Sequence, residues 1–163
     1  MRMMTLVLAL LGTALAGGCV SKEGPGDAGN RAVRFFLESS DGEGLAAVLP
    51  KSGVSLRLNP KPVITEVDLA GADEAQVELG RCLLLHLTPA AGRDLYRLTV
   101  AHQGRRLALE LDGVVIGARR IDGPIADGRI FIFVELSDEA LPGLVQELRA
   151  TAAAIRRKVG DRR

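Results

Sequence analysis

The stretch LALELDGVVIGA, Leu107–Ala118, decides the fold. Two alternating apolar runs flank Asp112-Gly113, and Asp-Gly favours a two-residue hairpin turn because both central residues take φ > 0. The turn sets a register in which Leu111 faces Val114, Leu109 faces Ile116 and Leu107 faces Ala118. All six side chains then point to one side of the hairpin, so pattern and turn agree.

Working outward, the preceding segment reads as a helix. Thr88 suits the N-cap, Pro89 the first helical position and Gly104 the stop, with Ala91, Leu95, Leu98 and His102 on the inner stripe. Before it, Gln76–Leu87 reads as one strand with Val77, Leu79, Leu83, Leu85 and Leu87 on one face, and Ala32–Glu38 and Val54–Leu58 read as strands. Val63–Leu69 is a weaker extended segment. On the other side, Asp122-Gly123-Pro124 and Asp127-Gly128 mark turns, and Ile130–Leu136 is a strand apolar almost throughout. Ser137 is placed to cap a last helix whose stripe is Leu141, Leu144, Val145, Leu148, Ala152, Ile155 and Val159. Several strands, a helix, a hairpin, a strand and a helix give an α+β two-layer sandwich: a mixed, mostly antiparallel sheet with two helices on one face.

The N-terminus has the layout of an export signal. Arg2 supplies a positive start, and Leu6–Ala16 is an apolar and small run too short for a permanent span. It ends LAGGC, Leu15–Cys19, which resembles a bacterial lipobox, and the resemblance makes Cys19 the expected lipidation site, with the diacyl or palmitate-type chains of a bacterial lipoprotein. Ala14-Leu15-Ala16 offers a rival cleavage before Gly17, which would release a soluble secreted protein. The expected organisation is residues 1–18 as signal, 19–30 as a Gly/Pro-rich tether, 31–155 as the domain and 156–163 as a basic tail. Val20, rather than Asp, follows the cysteine, so the outer membrane is expected over the inner, facing the periplasm.

The composition excludes several functions. The net charge is +1 and the chain has no Trp, one Tyr and four Phe. A balanced surface argues against nucleic-acid binding. His86 and His102 stand alone on different elements, without the spacing of a metal site, so no metal and no cofactor is expected. No nucleophile–base pair, phosphate-binding loop or nucleophile elbow is visible, which points away from an enzyme. Asp68, Asp73 and Glu74 read as solvated charges near a turn, and Cys82 as a buried, inert thiol.

Between about Val63 and Arg149 the chain resembles the head subdomain of the first large periplasmic domain of SecD, a membrane component of the Sec translocase. The resemblance lies in LLHLTPAAG (Leu84–Gly92), GRRLALELDGVVIGARRI (Gly104–Ile121) and PIADGRIFIFVEL (Pro124–Leu136). Arg119 replaces a family proline and Val134 a family glycine. The resemblance implies a fold and contact with protein or peptide, without carrying translocase activity across.

In the register above, Arg106 faces Arg119 and Arg105 faces Arg120. Four guanidiniums at one hairpin end make a candidate anion or partner site, because arginine binds carboxylates and phosphates bidentately. The expected function is a lipid-anchored, non-catalytic module binding a protein or peptide partner, for which an exposed sheet edge is one route. The alternative is an assembly accessory docking on an envelope complex or anionic lipid through Arg156, Arg157, Lys158, Arg162 and Arg163.

Overall fold

The computed structural model describes residues 31–161. Eight strands run in the order β1 (Val33–Leu37), β2 (Leu45–Val48), β3 (Ser55–Leu58), β4 (Leu69–Val77), β5 (Gly80–Leu87), β6 (Arg106–Leu111), β7 (Val114–Arg120) and β8 (Arg129–Ile132). Helix α1 (Pro89–Ala101) lies between β5 and β6, and α2 (Leu141–Gly160) ends the described chain. All ladders are antiparallel, in sheets ordered β1-β6-β7, β2-β3 and β4-β5-β8. The α+β reading holds.

The expected turn is present, with Asp112 at φ 50° and Gly113 at φ 87°. The expected register survives only next to it. Leu111 faces Val114 and Glu110 faces Val115, but a bulge then sets Leu109 against Gly117 and Leu107 against Arg119. The extra residue is Ile116, whose carbonyl accepts the Glu135 N–H at 2.6 Å. A bulge bends its strand and re-aims the backbone; here it turns β7 toward the end of β8. There Gly117 bridges Val134, and a Cβ on Gly117 would lie 2.5 Å from the Phe133 carbonyl oxygen. This bridge joins the two three-stranded sheets, and only glycine permits it.

The bulge also changes which side chains share a face. Leu107, Leu109 and Ile116 enter the main core with Phe35, Leu85 and Leu95, while Ala118 turns to the opposite face. That face is covered too. Leu49, Leu56 and Leu58, from the β2–β3 hairpin and its turn, pack on Phe36, Ala108 and Val115 in a second core. A layer of β-hairpin thus lies outside the β1-β6-β7 sheet, and it explains why Leu107-Ala108-Leu109 is buried without alternation.

Three further expectations are corrected. Gln76–Leu87 is not one strand: β4 ends at Val77, the chain turns at Glu78-Leu79, and Leu79 is 86% exposed instead of facing the core. Ser137 does not cap α2. Its carbonyl accepts the Ala140 N–H in a preceding turn, and Ala140 is the N-cap with Pro142 in the first turn. The last strand is also shorter than Ile130–Leu136. Helix α1 begins as expected, with the Thr88 hydroxyl accepting the Ala91 N–H at 3.4 Å. Helix α2 packs along β4 through Leu141, Leu144, Val145, Leu148 and Ala152, and it runs on through Arg156–Lys158 to Gly160.

Candidate functional site: an open edge above an apolar floor

Sequence reasoning left residues 39–53 unassigned and so missed β2. The signal was present: Leu45–Leu49 precedes Pro-Lys-Ser-Gly and the alternating run Val54–Leu58, a short hairpin with a glycine-bearing loop. In the structure Leu45 pairs with Leu58 and Val48 with Ser55. The Leu49 N–H donates to the Val54 carbonyl at 3.0 Å. Bonded and non-bonded pairs alternate in an antiparallel ladder. Ala47–Leu56 and Leu45–Leu58 are therefore the bonded pairs, and the N–H and C=O groups of Ala46 and Val48 point away from β3. Among the described residues, that side of β2 carries no further strand.

Below this edge lies a groove of about 390 Å³, floored by Phe36, Leu58 and Val115 and walled by Leu45, Val48 and Val114. Val48 and Val114 are each more than half exposed. The one carboxylate on the groove, Glu110, is paired with Arg34 at 3.5 Å. Within Leu45–Val48 there is no lysine, proline or charge of the kind that normally blunts an exposed strand; Pro50 and Lys51 come only in the turn that follows. Its geometry offers backbone hydrogen bonds to an added strand and an apolar floor to every second side chain of that strand.

The four candidate arginines are arranged otherwise than the expected register has them. The bulge sets Arg106 opposite Arg120, while Arg119 faces Leu107 on the other side of the sheet. Arg105 leaves the ladder, its carbonyl accepting the Ile121 N–H at 2.8 Å. Each guanidinium has a partner within the domain, and Arg105 and Arg106 share Glu38. Arg106 pairs with Glu38 at 2.7 Å and Arg120 with Asp122 at 3.7 Å. Arg119 donates to the Phe131 carbonyl at 3.1 Å. Arg105 donates to the Glu38 carbonyl and to His102 Nδ1, the latter at 3.2 Å.

The expected loop charges have a structural role. Asp73 and Glu74 lie within β4, opposite Leu84 and Leu83. His86 Nε2 bonds the Asp73 carboxylate at 2.6 Å, and Arg149 of α2 reaches the same carboxylate while its Nε donates to the Ala72 carbonyl at 2.7 Å. The His86 hydrogen bond, then Arg149, holds the Asp73 carboxyl below its ordinary pKa. Burial pushes the Cys82 thiol up. Among the described residues, no three His, Cys, Asp or Glu side chains are grouped to hold a metal, and no helix is long and apolar enough to cross a membrane. Cys19, Arg162 and Arg163 lie outside the described residues.

Comparison with solved structures places this architecture. A SecDF structure described as a membrane component that enhances protein export matches 76% of this chain and 64% of its own, with TM-score 0.58 and 22% identity. The fold is SecD-like. SecDF in a super-membrane-facing form matches 73% of the chain with TM-score 0.59 and 23% identity. The translocon-associated SecDF from Thermus thermophilus matches 77% with TM-score 0.52 and 22% identity. The SecD-like chain spans 64% of the first of these proteins, and 18% and 20% of the other two. No family model matches the sequence, and no curated protein matches it significantly.

Proposed function

We propose that this chain is a non-catalytic, lipid-anchored envelope protein whose SecD-like domain holds an extended segment of a protein partner along β2. One observation carries the reading: the outward-facing backbone of Ala46 and Val48 above the apolar groove. Strand addition suits a partner met before it folds, because backbone bonds are sequence-independent and the groove asks only for apolar residues at alternate positions. The likeness to proteins that enhance export fits such a partner. No reacting pair of side chains is called for. Cys19, acylated as the mature N-terminus, would keep the domain at a membrane face, outer membrane by preference, toward the periplasm. Arg105, Arg106, Arg119 and Arg120 take no part in this reading: the groove meets the β6–β7 hairpin at its turn, by Gly113 and Val114, and these four lie at the hairpin's open end.

The test is Ala46→Pro and Val48→Pro. Each removes one outward N–H, which an edge strand tolerates without losing its own ladder. With an extended peptide of alternating Val and Thr as probe, both variants lose binding while keeping the native circular dichroism; unchanged binding refutes the site. Intact mass of protein from its own membranes tests the anchor. Acyl chains on a chain starting at Cys19 support it, and an unmodified chain starting at Gly17 replaces it with a secreted protein.

A second reading rests on α2. Its stripe leaves the core after Ala152, so Val159 is 53% exposed beside Arg156, Arg157 and Lys158. This end suits docking on an envelope complex or on anionic lipid. Sedimentation with vesicles containing 30% phosphatidylglycerol, lost on Arg156→Glu with Lys158→Glu, would favour it; equal sedimentation of that variant would remove it.

A further inference from the structure

A second cavity lies away from β2 and shares no residue with its groove. It is about 690 Å³, open to solvent, between α1 and the Asp127-Gly128 turn. Its size is that of sites that take whole side chains or small ligands. The helix and the turn meet as two glycine backbones: a Cβ on Gly92 would stand 3.2 Å from the Gly128 Cα. The floor is therefore bare main chain, which an incoming chain can approach closely.

On the helix side, Arg93, Tyr96 and Arg97 stand at i, i+3 and i+4 and form one wall. Tyr96 is the only tyrosine in the chain, and it is 46% exposed at the cavity rim. Tyr and Arg are the residues enriched where proteins bind other proteins, since they add apolar area and directed hydrogen bonds together. The charges are unequal. The one carboxylate of the wall, Asp127, is held by Arg129 at 3.0 Å, and Arg97 is held by Asp94 at 3.1 Å. Among the described residues Arg93 makes no ion pair, so the cavity presents a free guanidinium beside an aromatic ring.

We infer that this cavity is a second binding site, and that its occupant is an acidic peptide segment carrying an aromatic or aliphatic side chain. The apolar side chain lies on the Gly92–Gly128 floor against Tyr96, and the peptide carboxylate takes Arg93. The site is independent of the β2 reading. The domain would thus contact two stretches of a partner at once, or two partners.

The test uses the purified full chain and two fluorescein-labelled peptides, one of alternating Glu and Phe, the other of alternating Lys and Phe, read by fluorescence anisotropy. The acidic peptide binds and the basic one does not, and binding weakens as NaCl rises from 50 to 500 mM. Arg93→Glu and Tyr96→Ala each weaken it about tenfold or more, the loss of one charged hydrogen bond or one aromatic contact. Both positions are exposed, so circular dichroism stays native. Arg156→Glu, of equal charge change, leaves binding intact, as does Ala46→Pro, which tests β2 alone. The inference is overturned by no binding of the acidic peptide, by equal binding of the basic one, by full affinity in Arg93→Glu, or by self-association of the chain that Tyr96→Ala abolishes.

Discussion

Thr99 is the sharpest test of how the domain is held together. Its side chain is fully buried in α1, where the hydroxyl donates to the Leu95 carbonyl at 2.8 Å and accepts the Ile125 N–H at 2.9 Å. The second bond anchors the 122–128 loop, whose Asp127-Gly128 turn walls the large cavity. Thr99→Val keeps the shape and removes the acceptor. The Leu95 carbonyl retains its helical partner, but the Ile125 N–H is left without one in an apolar setting beside Ile121. An orphaned buried donor costs about 1–3 kcal/mol. For a domain of this size about 2 kcal/mol lowers Tm by roughly 5–10 °C. Thr99→Ser keeps the acceptor and removes one buried methyl, at about 1 kcal/mol. The two variants differ further in hydrogen exchange: the Ile125 amide loses protection in Thr99→Val and keeps it in Thr99→Ser. Urea melts and exchange by NMR decide. A Thr99→Val protein within 0.5 kcal/mol of wild type, with Ile125 still protected, would refute the reasoning.

Gly117→Val should part the two sheets, since its Cβ meets the Phe133 backbone, which cannot swing aside; a cost of about 3 kcal/mol or more, or failure to fold, is expected in thermal melts against a surface control at Gly143. Asp73 has a lowered folded pKa, so its contribution is fully present above the ordinary carboxylate value of about 3.9 and is lost as pH falls through the folded value. Urea midpoints followed below pH 5 should show this acid limb, flattened in Asp73→Asn. Cys82 should resist a thiol-disulfide reagent at pH 8 in the native protein and react at once in 6 M guanidinium, because burial both screens the sulfur and disfavours the thiolate. Reaction of the native thiol at the unfolded rate would contradict its placement.

What was legible in the sequence was local. The Asp112-Gly113 turn, the Thr88-Pro89 start of α1 and the 3.6-residue stripe of α2 depend on nearest neighbours, and each appears where the residues demand it. The strand pair β4–β5 was hidden because LAGADEAQV has weak strand propensity and Glu78-Leu79 is not a recognisable turn dipeptide. β2 shows in the sequence only through the glycine-bearing loop that joins it to Val54–Leu58, because Leu-Ala-Ala-Val itself has no alternation to read.

The arrangement of the candidate sites was decided by tertiary structure alone. The two-residue period sets all four hairpin arginines by the register, and the register changes by one at Ile116 because that carbonyl is needed by Glu135, nineteen residues further along the chain. One inserted residue sends Arg119 to the opposite face and sets Arg120 in its place across from Arg106. In the same way, the open edge of β2 exists because the hairpin crosses Phe36 and Val115, and the glycine-floored cavity because α1 meets the Asp127-Gly128 turn. The sequence by itself determined the elements and the class of fold, through short-range propensity and periodicity. Which backbone stays unpaired and which charge stays free depended on contacts between residues far apart in the chain, and no local pattern carries those.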